Sequence, residues 1–149
     1  MRNESTALCL AVVTLLATSP VRSAEPDLIG NMGDLQRFSH KLDLAIGENN
    51  LPLADFYAHE LEETIESTTA IERYHDQPIG ELTTTMLVPA FERLEAALDA
   101  EPINPQALNA AFDGYVAACN ACHLETGYGY IRIERTDANP FMQSFAPLD

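Results

Sequence analysis

The sequence predicts an all-α protein, an antiparallel four-helix bundle with an irregular C-terminal tail, preceded by a signal peptide. Apolar residues recur at the three- and four-residue spacing of a helix in four separate segments. The links between these segments are short and carry glycine, asparagine or proline. The alternation that a strand requires occurs only in residues 130–133, and one short strand cannot form a sheet.

The spacing of apolar residues predicts the first two helices. The first ends at Gly47, and the second begins near Pro52, which suits the first turn of a helix. The apolar spacing of the second helix continues through Ile71, so we expect the break at Gln77-Pro78 to end it. The stripe of the first helix consists of Leu28, Met32, Leu35, Leu42 and Ile46.

The third and fourth helices have clearer local signals. The third is predicted to cover roughly residues 79–100, with a kink at Pro89, because proline lacks the N–H that a helix interior needs. The fourth should begin with Asn104 as the cap and Pro105 in the first turn, and should end before Gly127. Short links make sequential helices antiparallel, and bundles of this kind hold cofactors in their core.

The fourth predicted helix carries a CxxCH pentapeptide, residues 119–123. This spacing is typical of covalent haem attachment, in which two thiols form thioether bonds with the porphyrin and the histidine binds the iron. On a helix all three side chains share one face. The sequence therefore predicts one haem c, attached through Cys119 and Cys122, with His123 as an axial ligand of the iron.

Other chemistry for the CxxC pair is less well supported. A redox dithiol is expected in a thioredoxin-like βαβ setting, and a zinc site needs a second pair of ligands, neither of which the sequence shows. The alternative from another class is a haem-free acidic helical module with a redox or metal site. The sequence contains no nucleotide-binding loop, nucleophile elbow or convincing distal acid–base pair, so we expect an electron carrier rather than an enzyme.

The N-terminus resembles a secretory signal. Arg2 precedes an apolar stretch at residues 7–17, followed by Pro20 and the small residues Ser23 and Ala24. The predicted organisation is a signal peptide at 1–24, a haem-binding bundle at 25–126, and a tail at 127–149 that packs on the bundle or the haem edge. We expect a periplasmic protein with no membrane insertion after signal cleavage, in agreement with haem attachment outside the cytoplasm.

The charge of the chain bears on its partners. The 149 residues include 8 basic and 23 acidic ones, which gives a formal net charge of −15. Such a surface repels nucleic acid and anionic lipid and favours a redox partner protein with a basic patch. Solubility alone explains the charge equally well. A homodimer is compatible with the sequence.

The haem motif on the last of four helices resembles the class II c-type cytochromes, the cytochrome c-prime group and its low-spin relatives. The resemblance covers roughly residues 27–126, and only the CxxCH is specific. It implies a periplasmic monohaem cytochrome that acts in electron transfer. Typical members end soon after the haem histidine, whereas here a tail follows. Its segments 127–131, 139–141 and 145–147 are similar to a set of tailed periplasmic cytochromes.

The second iron ligand decides between two functions. In an up-down bundle the N-terminal half of the first helix faces the haem, and it offers Met32 and His40. The resemblance supports both, because low-spin relatives use a methionine of this helix and His40 matches the depth of the distal position in cytochromes c-prime. We expect His40, giving a bis-histidine iron, with Met32 as the runner-up; an ordinary core methionine explains Met32 equally well.

The alternative function is a five-coordinate haem protein that binds or senses NO or CO, which requires that no side chain fills the second position. Arg37 and Lys41 lie one turn apart on the first helix. They are candidate partners of the haem propionates, although a solvated face accounts for them as well.

Overall fold

The structure, a computed structural model, describes residues 27–148, so the predicted signal peptide at residues 1–24 lies outside the described residues. Within residues 27–148 the chain is all-α, with helices and no strand. Helix α1 spans Leu28–Gly47 and α2 spans Leu51–Thr69. Helix α3 covers residues 79–98, and α4 spans Pro105–Glu125.

Side-chain caps define where three of these helices begin. Asp27 accepts a hydrogen bond from the backbone N–H of Gly30 at the start of α1. Asn50 caps α2 in the same way, and Asn104 accepts from two backbone N–H groups of the first turn of α4. These bonds satisfy N–H groups that have no partner within the helix. The predicted start of α4 at Asn104 and Pro105 is therefore confirmed.

Helix α2 ends earlier than its apolar pattern indicates. It stops at Thr69, and residues 70–78 form a link rather than the predicted last turns. Ile71 is buried, but it packs with Leu28 and Ile79 in a small separate cluster. The link returns close to the end of α2, and Gly80 allows this close approach. Any side chain at this position would clash with the carbonyl oxygen of Thr69. The apolar spacing that continues to Ile71 therefore reflects the burial of a loop residue and not a longer helix.

Helix α3 is irregular where a kink was expected. It consists of an α-helical turn at Ile79–Leu82, a π-helical stretch at Thr83–Leu87 and a regular helix at Val88–Leu98. Pro89 has no N–H, and its ring displaces the carbonyl one turn earlier. The wider π turn, in which the N–H of Val88 donates to the carbonyl of Thr83, accommodates this defect directly before the proline.

Contacts between helices fix their directions. Asn31, near the start of α1, donates to Ser67 and Thr68, near the end of α2. Midway along α1, Ser39 Oγ lies 3.0 Å from the hydroxyl of Tyr115 on α4. Each of the helices α1 to α4 contributes apolar side chains to one core, among them the buried Leu42, Leu61, Leu94 and Phe112.

The tail packs against the helices. Phe145 is buried in the main core, and Asn50 donates to its carbonyl oxygen. Arg135 binds Asp43 of α1 at 2.5 Å and Asp113 of α4 at 2.8 Å. Since Asp43 follows Ser39 on α1 while Asp113 precedes Tyr115 on α4, these two helices run in opposite directions. The tail therefore ties α1, α2 and α4 together.

Replacing Arg135 with alanine should lower the free energy of unfolding by about 2 kcal/mol, because it leaves a largely desolvated carboxylate without its cation. The Asp43 side chain is only 11% exposed. The matched control is Arg132→Ala, which removes an exposed pair with Glu134 and should change stability by less than about 0.5 kcal/mol. Denaturant unfolding of both variants measures the difference, and equal losses would contradict the account.

None of the helices within residues 27–148 combines the length and apolar character needed to cross a membrane.

Candidate functional site

A mostly apolar cavity of about 320 Å³ opens between α1, α3, α4 and the first part of the tail. Its lining brings together several residues that the sequence singled out. Helix α4 contributes both cysteines and the histidine of the CxxCH, and α1 contributes Met32 from another side. The π-helical stretch of α3 provides Thr83 and Leu87, and the tail provides Tyr128, Ile131 and Ile133.

The two cysteines are free thiols, and both line the cavity. Burial raises the pKa of Cys119 to about 12, and burial together with Glu125 raises the pKa of Cys122. Cysteines that act in redox exchange have a lowered pKa, because the thiolate is the reactive form. The surroundings of this pair are therefore unlike those of a redox dithiol.

His123 also lines the cavity, and the tail fixes its ring. The Nδ1 atom lies 2.9 Å from the carbonyl oxygen of Ile131. A carbonyl oxygen only accepts hydrogen bonds, so Nδ1 must carry the proton and donate it. In the neutral ring, Nε2 is then left with a free lone pair, which is the form of histidine that binds a metal.

Helix register places Met32 opposite the CxxCH. The contact between Ser39 and Tyr115 marks one level at which α1 and α4 meet. Met32 lies about two helical turns before Ser39, and Cys122 lies about two turns after Tyr115. Because the two helices run in opposite directions, Met32 and Cys122 reach the same level, and both line the cavity.

His40 lies elsewhere. It is not among the residues that line the cavity, and its position on α1 is about 12 Å from Met32 along the helix axis. Its ring centroid is 5.3 Å from that of Phe141 in the tail. The buried Nε2 atom of His40 has no hydrogen-bond partner among residues 27–148. The structure therefore brings Met32, and not His40, together with the cysteines.

The two candidate propionate partners also lie outside the cavity lining. Arg37 forms an ion pair with Asp34 at 2.8 Å and lies over the ring of Phe38. Lys41 donates to the side-chain oxygen of Gln143 at 3.0 Å and lies near the ring of Phe141. Both cations have partners in the protein, and those of Lys41 come from the tail and from Tyr57 of α2.

The residues around the cavity fit a covalently attached haem. Within residues 27–148, no group of three or more histidine, cysteine or acidic side chains is placed to hold a metal ion on its own. A haem needs less from the protein, because the porphyrin supplies four iron ligands and the chain only the axial ones. The cavity offers two thiols, an imidazole and a thioether within apolar walls, a set of groups that can hold haem c.

Sequence reasoning missed two features of the site. Asn120, inside the CxxCH, exchanges two hydrogen bonds with the backbone of Ile133. The carbonyl of Ile131 accepts a hydrogen bond from the histidine ring. A polar residue between the two cysteines was a usable signal for Asn120. A backbone carbonyl leaves no signal in a sequence, since every residue has one.

No protein-family model, no curated protein and no solved structure matches this chain. The class of protein has to be inferred from the cavity and from the side chains that line it.

Proposed function

We propose that the protein is a monohaem c-type cytochrome of the class II kind, with one haem c attached through Cys119 and Cys122. One observation carries this proposal: both thiols, the His123 imidazole and the Met32 thioether line the same apolar cavity. The four amphipathic helices would form the antiparallel bundle that holds the cofactor. The predicted signal peptide supports this proposal, because it would direct the protein to the periplasm, where haem of this type is attached.

His123 would be one axial ligand and Met32 the second. The sequence alone favoured His40 for the second position. Met32 is preferred now because it reaches the level of Cys122 and lines the cavity, whereas His40 packs against Phe141. His123 and Met32 would then hold the iron with an imidazole and a thioether, a common combination in c-type cytochromes that would favour the reduced state.

When bound, the haem supplies one-electron transfer at its iron, which is the proposed function. The residues of the chain contribute the environment. Apolar side chains of α1 and α3, Leu28, Leu35 and Leu87, line the cavity and would limit the access of water to the haem. The carbonyl of Ile131 holds the proton of His123 at Nδ1 and leaves Nε2 free for the metal. The acidic surface would meet a basic patch on the redox partner.

The absorption spectrum of the exported, purified protein in both oxidation states, with and without CO, tests this proposal. We expect sharp alpha and beta bands after reduction and little response to CO, because His123 and Met32 would both bind the iron. Broad bands with tight CO binding would indicate a five-coordinate gas-binding protein instead. The absence of any haem absorbance would reject both functions and leave a haem-free helical module.

A further inference from the structure

The tail turns back beside the haem motif directly after α4. Gly127 has a φ of +82°, a conformation that favours glycine, and it reverses the chain. The N–H of Tyr128 then donates to the carbonyl of His123 at 2.7 Å, and the N–H of Ile131 donates to the carbonyl of Tyr128 at 2.7 Å. Residues 131–133 consequently run beside the last turns of α4, and we call this segment the strap.

Two residues of the CxxCH hold the strap. The side-chain amide of Asn120 donates to the carbonyl oxygen of Ile133 at 2.9 Å, and its oxygen accepts from the N–H of Ile133 at 2.8 Å. At the other end, the carbonyl of Ile131 accepts a hydrogen bond from the Nδ1–H of His123. Just beyond the strap, Arg135 anchors the tail to Asp43 and Asp113. The strap is thus fixed on both sides of the carbonyl that contacts the histidine.

We propose that the strap is a positioning element for His123, held in place by Asn120, and that it tunes the reduction potential of the iron through the hydrogen bond from Nδ1 to the carbonyl of Ile131. The effect on the iron rests on the proposed function; the control of the histidine ring by Asn120 does not.

The physical reason is the electron density of the imidazole. A hydrogen bond from the second ring nitrogen to a fixed carbonyl makes the ring a better electron donor to the metal and fixes its orientation. Better donation stabilises the oxidised iron, so the strap should lower the reduction potential. Asn120 does not line the cavity, and its side chain contacts the strap, whose Ile131 carbonyl lies against the His123 ring.

The test uses Asn120→Ala and Asn120→Asp in the exported full-length protein. We expect Asn120→Ala to raise the reduction potential and to speed hydrogen exchange at the Ile133 amide, with covalent haem retained. Asn120→Asp keeps an acceptor for that amide but loses the donor to the carbonyl of Ile133, so exchange at the Ile133 amide should be faster than in the wild type and slower than in Asn120→Ala. The control is Ala121→Ser, which changes the other intervening residue of the motif, an exposed one, and should leave both quantities unchanged.

Two results would overturn the proposal. One is an unchanged exchange rate of the Ile133 amide in Asn120→Ala, which would show that Asn120 does not hold the strap. The other is faster exchange with an unchanged potential, which would leave the strap a purely structural feature. If the wild-type protein carries no haem, the proposed function fails, and ring ¹⁵N shifts of His123 then test the strap alone. The role of the strap is supported if the His123 ring is protonated at Nδ1 in the wild type and at Nε2 in Asn120→Ala. It is rejected if the wild-type ring is already protonated at Nε2.

Discussion

Replacing both Cys119 and Cys122 with alanine should abolish covalent haem attachment completely. The two thiols are the groups that would form thioether bonds, and both line the cavity as free cysteines. Each single variant should keep one bond and therefore retain some covalent haem. Staining for haem on a denaturing gel measures the result, because denaturation removes any haem that His123 and Met32 hold without a covalent bond.

The control for the cysteine variants is Ala121→Ser, which alters the motif without removing a thiol and should stain like the wild type. Covalent haem in the double cysteine variant would contradict the proposed attachment. Unfolding of the double variant does not confuse the test, since the stain reports a bond that survives denaturation.

Replacing Met32 with alanine should convert the iron from six-coordinate and low-spin to five-coordinate and high-spin. Met32 is the side chain with an iron-binding atom that α1 contributes to the cavity, at the level of Cys122. Alanine has no group that can bind iron, so the second axial position should open and CO should then bind the reduced protein tightly. The visible spectrum with and without CO measures both changes.

Two controls distinguish ligation from packing. Met86→Ala removes a half-buried methionine of α3 that does not line the cavity, and the spectrum should remain low-spin. His40→Ala removes the other candidate and should also leave the spectrum unchanged. A high-spin spectrum in His40→Ala, together with a low-spin spectrum in Met32→Ala, would reverse the ligand assignment and support a bis-histidine iron.

Local signals in the sequence were sufficient for most helix boundaries. The all-α class is confirmed, and Asn104, Pro105 and Gly127 mark the ends of α4 because capping and positive φ depend on the residues at those positions. The end of α2 could not be predicted in this way, because tertiary contacts determine it. Ile71 continues the apolar spacing of α2 yet is buried in a loop, because periodicity reports burial and not backbone conformation.

In the candidate site, too, local features could be predicted from the sequence and features that depend on tertiary contacts could not. The CxxCH identified three residues that the structure brings to one cavity, since their spacing along a single helix is a local property. The choice between Met32 and His40 depends on how α1 and α4 align, and the contact between Ser39 and Tyr115 that marks this alignment could not be predicted from either helix alone. The position of the strap beside His123 depends on backbone hydrogen bonds, which the sequence does not specify.

The mass of the intact protein, exported from cells that mature c-type cytochromes and measured after denaturation, tests the central claim most directly. We expect the polypeptide without its signal peptide plus one haem, because two thioether bonds keep the porphyrin attached when the fold is lost. A mass equal to that of the unmodified polypeptide would contradict the assignment of Cys119 and Cys122 as haem-binding residues.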